Sequence, residues 1–151
     1  KRIGGGHAFI DLDTVYGTIT CGIYEPAKGF RDVFDALIPG DLVEVYGEYR
    51  DEPRTFNVEK LRVLHLVEDR RKVSNPVCGG CGRTMRSAGS GAGYRCKACG
   101  TKSMEPITAM EPRGIVMGWY EPPETARRHL SKPLKRMGVE QPIVFVKRRT
   151  Q

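Results

Sequence analysis

The pattern of apolar and polar positions changes period several times along the chain. His7-Ala-Phe-Ile-Asp-Leu12 and Val15-Tyr-Gly-Thr-Ile-Thr-Cys-Gly-Ile-Tyr24 are rich in aromatic and β-branched residues, the composition of strands, with Asp13-Thr14 as the turn between them. From Phe30 the period lengthens. Phe30, Val33, Phe34, Leu37 and Ile38 recur at the spacing of one helical stripe, and Pro39-Gly40 stops it. Leu42 to Tyr49 alternates as a strand, Asp51-Glu-Pro53 turns, and Thr55 to Val67 supplies a long final strand.

Strand, strand, helix, strand, strand is the order of an OB-fold whose first strand is missing, because that Greek-key barrel carries its helix between the third and fourth strands. Lys1-Arg-Ile-Gly-Gly-Gly6 reads as the tail of something upstream, so the missing strand is expected from outside this sequence or from its C-terminal part. Gly4-Gly5-Gly6 lacks the Gly-Lys-Ser/Thr that a phosphate-binding loop requires.

A different signal follows. Cys78-Gly-Gly-Cys81-Gly and Cys96-Lys-Ala-Cys99-Gly are two Cys-x-x-Cys pairs separated by fourteen residues. That spacing turns four thiolates toward one tetrahedral zinc, and the glycines after each pair (Gly82, Gly100) allow the positive φ of a knuckle. Two disulfides are the alternative in a secreted protein. Arg83 to Arg95 suits a short strand, a glycine-rich turn and a returning strand, which makes a zinc ribbon. Four thiolates leave no open position for water, so the ion is structural, and it supplies the stability that about 25 residues cannot bury for themselves.

Asp69 to Pro76 reads as a hinge, and Pro106, Pro112 and Gly114 as irregular structure. Gly114 to Tyr120 suits another strand. Pro122-Pro123-Glu124-Thr125 reads as a helix start, with the helix running over Ala126 to Leu130 until Pro133 breaks it. Ser131 caps a second short helix carrying Lys132, Lys135 and Arg136, and Ile143-Val-Phe-Val146 forms a last strand. The expected division is an OB-fold over residues 1–70, a zinc ribbon over 71–104, and an extension with a basic helix over 105–151, packed on the ribbon or the barrel. The chain is mainly β with short helices.

Charge sharpens this picture. The 151 residues carry a formal charge of +7, but residues 1–70 hold a net −4 and residues 71–151 a net +11. So lopsided a basic half points to an anionic partner, most often nucleic acid; a solubility field is the plainer explanation. No apolar run reaches the ~20 residues of a membrane span, no signal peptide opens the chain, and the cysteines fit a reducing compartment, so the expected location is the cytoplasm.

Three groups of residues are candidates for nucleic-acid contact. On the barrel, Tyr16, Tyr24, Phe56 and Arg62 suit base stacking and backbone tracking, with packing near the core as the other reading of the tyrosines. At the ribbon tip, Arg83, Arg86 and Arg95 surround flexible glycines and are either phosphate contacts or a solvated loop. Arg127, Arg128, His129, Lys132, Lys135 and Arg136 are the densest basic cluster; on a helix, Arg128, Lys132 and Lys135 or Arg136 share one face for phosphates. His129 stacks on a base or packs under Trp119. No catalytic constellation is present: His7, His65 and His129 are scattered, and Cys21 reads as an inert buried thiol.

Specific residues carry a resemblance. Ile38-Pro-Gly-Asp-x-Val-Glu-Val-Tyr-Gly47, Asn57-Val-Glu-Lys60, the two knuckles, and Gly118-Trp-Tyr-Glu-Pro-Pro123 followed by Ala126 to Leu134 together resemble the archaeal tRNA-isoleucine agmatidine synthetase family. That family joins agmatine to the wobble cytidine of the anticodon with ATP, so that the tRNA reads AUA. The resemblance implies a C-terminal half that grips tRNA, the OB-fold near the acceptor end and the ribbon with its flanking helix nearer the anticodon. ATP, magnesium and the catalytic residues belong, on this resemblance, to a kinase-like domain absent from this sequence, and agmatine is the co-substrate of the full enzyme. No obligate protein partner is implied. The competing classes are a stand-alone OB-fold and zinc-ribbon protein for single-stranded nucleic acid in replication or repair, and a protein-docking adaptor.

Overall fold

The computed structural model describes residues 4–139. In chain order these hold β1 (Ala8–Thr14), β2 (Gly17–Ile23), α1 (Asp32–Ala36), β3 (Leu42–Arg50), β4 (Thr55–His65), β5 (Arg70–Ser74), β6 (Arg86–Ser87), β7 (Tyr94–Arg95), β8 (Lys102–Ser103), β9 (Ile107–Met110) and β10 (Gly118–Tyr120), with 3₁₀ turns at Lys28–Arg31, Glu124–Ala126 and Leu134–Met137. Residues up to Val67 and from Arg113 onward form one compact unit, and Glu68–Pro112 forms another.

The first unit is an open five-stranded sheet organised on β4. β1 and β2 are an antiparallel hairpin, from Ala8 opposite Ile23 to Thr14 opposite Gly17. Its turn falls two residues later than the sequence suggests, at Val15-Tyr16, because Gly17 supplies the positive φ (112°) and the Thr14 hydroxyl bridges the Tyr16 amide and the Gly17 carbonyl. β4 pairs antiparallel with β3 along its length, and runs parallel to β2 through Cys21 opposite Phe56 and Gly22 opposite Asn57. That parallel pair, with the helix in the connection between its strands, is the OB-fold arrangement.

A fifth strand comes from the C-terminal segment. β10 lies antiparallel to the end of β4, with Gly118 opposite Val63 and Tyr120 opposite Leu61. The strand expected there is longer. It shortens to three residues because Tyr120 turns inward and its hydroxyl folds the preceding segment back, donating to the Val116 carbonyl at 2.7 Å and accepting from the Val116 amide at 3.1 Å.

The helical stripe is real but brief. Phe30, Val33 and Phe34 are buried, with Cys21, Ile23, Val58, Leu61, Val63, Ile115 and Tyr120 completing the core. The helix ends at Ala36: Leu37 is already extended (φ −75°, ψ 145°), two residues before Pro39. Burial pushes the Cys21 thiol up to about 11, so it stays protonated and inert, as the sequence implies.

In the second unit the expected hinge and irregular stretch are instead a ladder. Arg70 to Ser74 pairs antiparallel with Met110 to Ile107, so the chain enters and leaves the ribbon as two hydrogen-bonded strands.

The basic helix expected over Ala126 to Leu130 does not form. Glu124–Ala126 makes a single 3₁₀ turn, after which Arg127 is extended (φ −74°, ψ 137°). Pro133 lies too close for a helix started at Pro123 to propagate, and Arg127 is drawn instead toward Glu121. The second short helix is also a 3₁₀ turn, Leu134–Met137, preceded by Pro133 and without a side-chain cap. Ser131 accepts a hydrogen bond from Lys60 instead. The expected strand over Ile143 to Val146 lies outside the described residues. No helix among the described residues is long and apolar enough to cross a membrane.

Candidate metal centre and nucleic-acid interface

Two similar knuckles build the metal centre. In the first, Gly82 donates to the Cys78 carbonyl at 2.8 Å and Cys78 to the Arg83 carbonyl at 2.9 Å; in the second, Gly100 donates to Cys96 at 3.0 Å and Cys96 to Thr101 at 2.8 Å. Both glycines sit at positive φ, 69° and 76°, which lets the chain double back beneath its sulfurs. The ligand atoms of Cys78, Cys81, Cys96 and Cys99 all lie within 4.8 Å of one another. Individual Sγ pairs stand at 3.3 Å (Cys78–Cys99), 3.4 Å (Cys81–Cys96) and 3.8 Å (Cys81–Cys99). A tetrahedron with zinc–sulfur bonds of about 2.3 Å has edges of about 3.8 Å, so the four residues fit zinc.

Electrostatics favours the same ion. Four sulfurs this close cannot all ionise unless a cation sits among them. The hydrogen bond from Cys99, helped by the amides of Gly80 and Cys81, draws the Cys78 thiol down to about 6. Cys81 has the Arg83 amide in its favour, yet its sulfur neighbours, Cys96 first, push it up to about 12. A dication removes that conflict, and with all four positions filled by sulfur its role is structural. Cys78 and Cys96 are buried against Met85, with Tyr94 packed alongside, so the metal anchors the ribbon's own small core.

The strands over this centre align charge. Arg86 on β6 is opposite Arg95 on β7, and Arg95 is opposite Lys102 on β8. Three cations thus stand side by side at roughly 5 Å spacing, a cross-strand arrangement that costs stability unless an anion lies over it. All three are exposed, and none has a carboxylate partner among the described residues. Arg83 is exposed on the first knuckle. Lys102 is not a candidate from the sequence, because only the pairing of β7 with β8 brings it beside Arg95.

The other cationic cluster is differently disposed. Arg127 is paired with the buried Glu121 at 3.0 Å, and Glu121 also accepts from the Leu134 amide at 3.1 Å. Arg128 reaches Glu48 at 2.8 Å and Glu59 at 3.2 Å. Buried Lys60 donates to Ser131 at 2.7 Å, which pins the same segment against β4. Arg127 and Arg128 therefore hold the extension onto the sheet, whereas Lys132, Lys135 and Arg136 remain exposed. His129 is exposed and not packed under Trp119.

The barrel candidates also separate. Tyr16 is 97% exposed at the hairpin tip, whereas Tyr24 is held in a ring cluster, 5.2 Å from His7 and 5.5 Å from Phe9. Phe56 packs against the core. Arg62 lies over Trp119, with its guanidinium carbon 5.4 Å from the ring centroid.

Residues 75–115 match the model of the TiaS C-terminal zinc ribbon domain. The TiaS of Archaeoglobus fulgidus, a 2-agmatinylcytidine synthetase for an isoleucine tRNA, is 47% identical over 95% of this chain and 33% of its own length. That of Methanocaldococcus jannaschii is 43% identical over 89% of this chain and 32% of its own. Over nearly its whole length this chain is thus similar to one part of the TiaS synthetases. A crystal structure of TiaS in complex with its isoleucine tRNA and ATP superposes with a TM-score of 0.73 at 46% identity, covering 96% of this chain and 33% of the TiaS chain. The chain spans about a third of the length of the curated relatives it matches.

Proposed function

We propose that this chain is the RNA-gripping portion of an ATP-dependent ligase that attaches agmatine to the wobble cytidine of the AUA-reading isoleucine tRNA. The observation that carries this reading is the row of Arg86, Arg95 and Lys102, three cations without carboxylate partners among the described residues, on a TiaS-type ribbon. Like charges held in register are an arrangement that phosphates of a folded RNA stabilise. Arg83 on the first knuckle, and Lys132, Lys135 and Arg136 on the sheet unit, are further phosphate contacts. Arg127 and Arg128 act on RNA only by holding that segment in place.

Chemistry in this reading belongs to the rest of the ligase. ATP and magnesium are bound there and agmatine is the co-substrate of the full enzyme, while this portion holds the tRNA so that its wobble base is presented to the reacting groups. The enzyme works in the cytoplasm, where its tRNA is.

The test is affinity for a transcript of the isoleucine tRNA against oligo-dT, across a range of salt. Tight tRNA binding, indifference to oligo-dT and a steep salt slope are expected. Equal binding of the two polymers would favour a general single-strand binder, and salt-independent binding would remove the phosphate reading.

A further inference from the structure

The outer face of the sheet carries a cluster that the ribbon does not explain. Arg62 stands between the buried Leu61 and Val63 on β4, so its side chain points away from the core. In register it lies between Glu44 on β3 and Trp119 on β10, and Tyr46 follows Glu44 on the same face. The Tyr46 and Trp119 rings are 5.1 Å apart and tilted by 40°, with Arg62 over Trp119. The Tyr46 hydroxyl donates to Glu44 at 3.3 Å, and Arg62 faces the same carboxylate at 3.6 Å.

Three of these side chains are open to solvent, and Trp119 is half-buried behind them. Tyr46 is 39% exposed, and the Arg62 and Glu44 side chains 46% and 42%. Two rings and a guanidinium with a single carboxylate at the rim are too small for a protein interface, which needs about 800 Å² from each partner. They match the dimensions and chemistry of one heterocycle. A π-face stacks on the rings, the guanidinium adds a cation–π contact, and the carboxylate accepts only from a donor edge.

We propose that Tyr46, backed by Trp119 and Arg62, stacks one unpaired nucleobase of the bound RNA, and that Glu44 selects a base carrying an exocyclic amino group. This rests on the RNA-binding reading above and adds to its phosphate contacts one made to a base. Adenine, guanine and cytosine offer the amino donor that Glu44 requires; uracil offers only carbonyl acceptors beside its one ring N–H.

Trp119 is the only tryptophan in the chain, so its fluorescence reads this site directly. Quenching is expected on titration with the tRNA transcript and with hexamers of cytidine or adenosine, and markedly less with uridine hexamers. Tyr46→Ala should weaken tRNA binding roughly tenfold without altering its salt slope, because stacking releases no counterions. Tyr46→Phe keeps the ring and should bind as the parent does. Glu44→Gln should abolish the preference over uridine. The inference is overturned if filter binding shows tRNA bound while Trp119 fluorescence is unchanged and Tyr46→Ala binds normally, the result a protein-docking face would give. If no tRNA is retained on the filter at all, the RNA-binding reading falls as well.

Discussion

Arg113 and Asp41 face each other through two parallel hydrogen bonds, Nη1 to Oδ1 at 2.7 Å and Nη2 to Oδ2 at 2.5 Å, with both side chains buried. The same guanidinium donates to the carbonyls of Ala36 and Val67, and the same carboxylate accepts from the amides of Ile38 and Val67. One ion pair therefore ties the end of α1, the turn into β3 and the exit from β4. Arg113→Ala leaves that carboxylate buried and without its cation, which should cost about 3–5 kcal/mol in urea unfolding.

The pair also sets an acid limb. Burial alone would raise the Asp41 carboxyl, but Arg113 and the two amides outweigh it and hold it below the ordinary carboxylate value. The unfolded chain, titrating near about 3.9, takes up its proton first. The stabilisation is thus complete above roughly pH 4 and is lost as pH falls through the lower folded value. Plotting unfolding free energy against pH should show this decline, with a flatter limb in Asp41→Asn.

Gly47 sits at the bulge where the β3–β4 register shifts, and a Cβ built there would lie 1.8 Å from the Asn57 carbonyl oxygen. Backbone cannot yield as a flexible side chain does. Gly47→Ala should destabilise the sheet unit by about 3 kcal/mol or more, read as a fall in its thermal midpoint. A midpoint within a degree of the parent would mean that the bulge relaxes freely.

Cys96→Ser removes one of four zinc ligands and a buried member of the ribbon core. Zinc content should fall well below one per chain, and amide protection should vanish over β6, β7 and β8 while it persists in β4. A chelator should give the same pattern in the parent protein. Normal zinc content in the variant would refute the ligand set.

Exposed and carboxylate-paired cations should respond differently to truncation. Arg95→Ala relieves like-charge contacts on both sides, so the ribbon should be unharmed or gain a few tenths of a kcal/mol, while tRNA affinity drops and its salt slope lessens by about 1. Arg127→Ala strands the buried Glu121 and should cost about 3–5 kcal/mol. Lys132→Ala should leave stability unchanged and flatten the slope. Differential scanning calorimetry beside salt-dependent filter binding separates the three.

What is legible in the sequence is whatever a local pattern encodes. The knuckles are complete in their spacing, since two Cys-x-x-Cys pairs and two glycines dictate their own geometry. The stripe of Phe30, Val33 and Phe34 announces its buried face. What depends on partners distant in the chain is not legible. Arg128 reads as part of a basic helix because its carboxylates, Glu48 and Glu59, become neighbours only after β3, β4 and the C-terminal segment assemble. Arg70 to Ser74 reads as a charged hinge because nothing local shows that Ile107 to Met110 will pair with it. Trp119 and Tyr46 give no joint signal for the same reason, being far apart in the chain and brought together only through β4.

The Arg113 side chain reaches the Val67 carbonyl at 3.0 Å, so the points where the chain leaves the sheet unit and rejoins it are near neighbours. Residues 68–112 are in this sense a cassette, spliced into a loop whose two ends already meet. Such a loop should tolerate grafting: a short glycine-serine bridge in place of the cassette is expected to span the gap without disturbing β4 or β10.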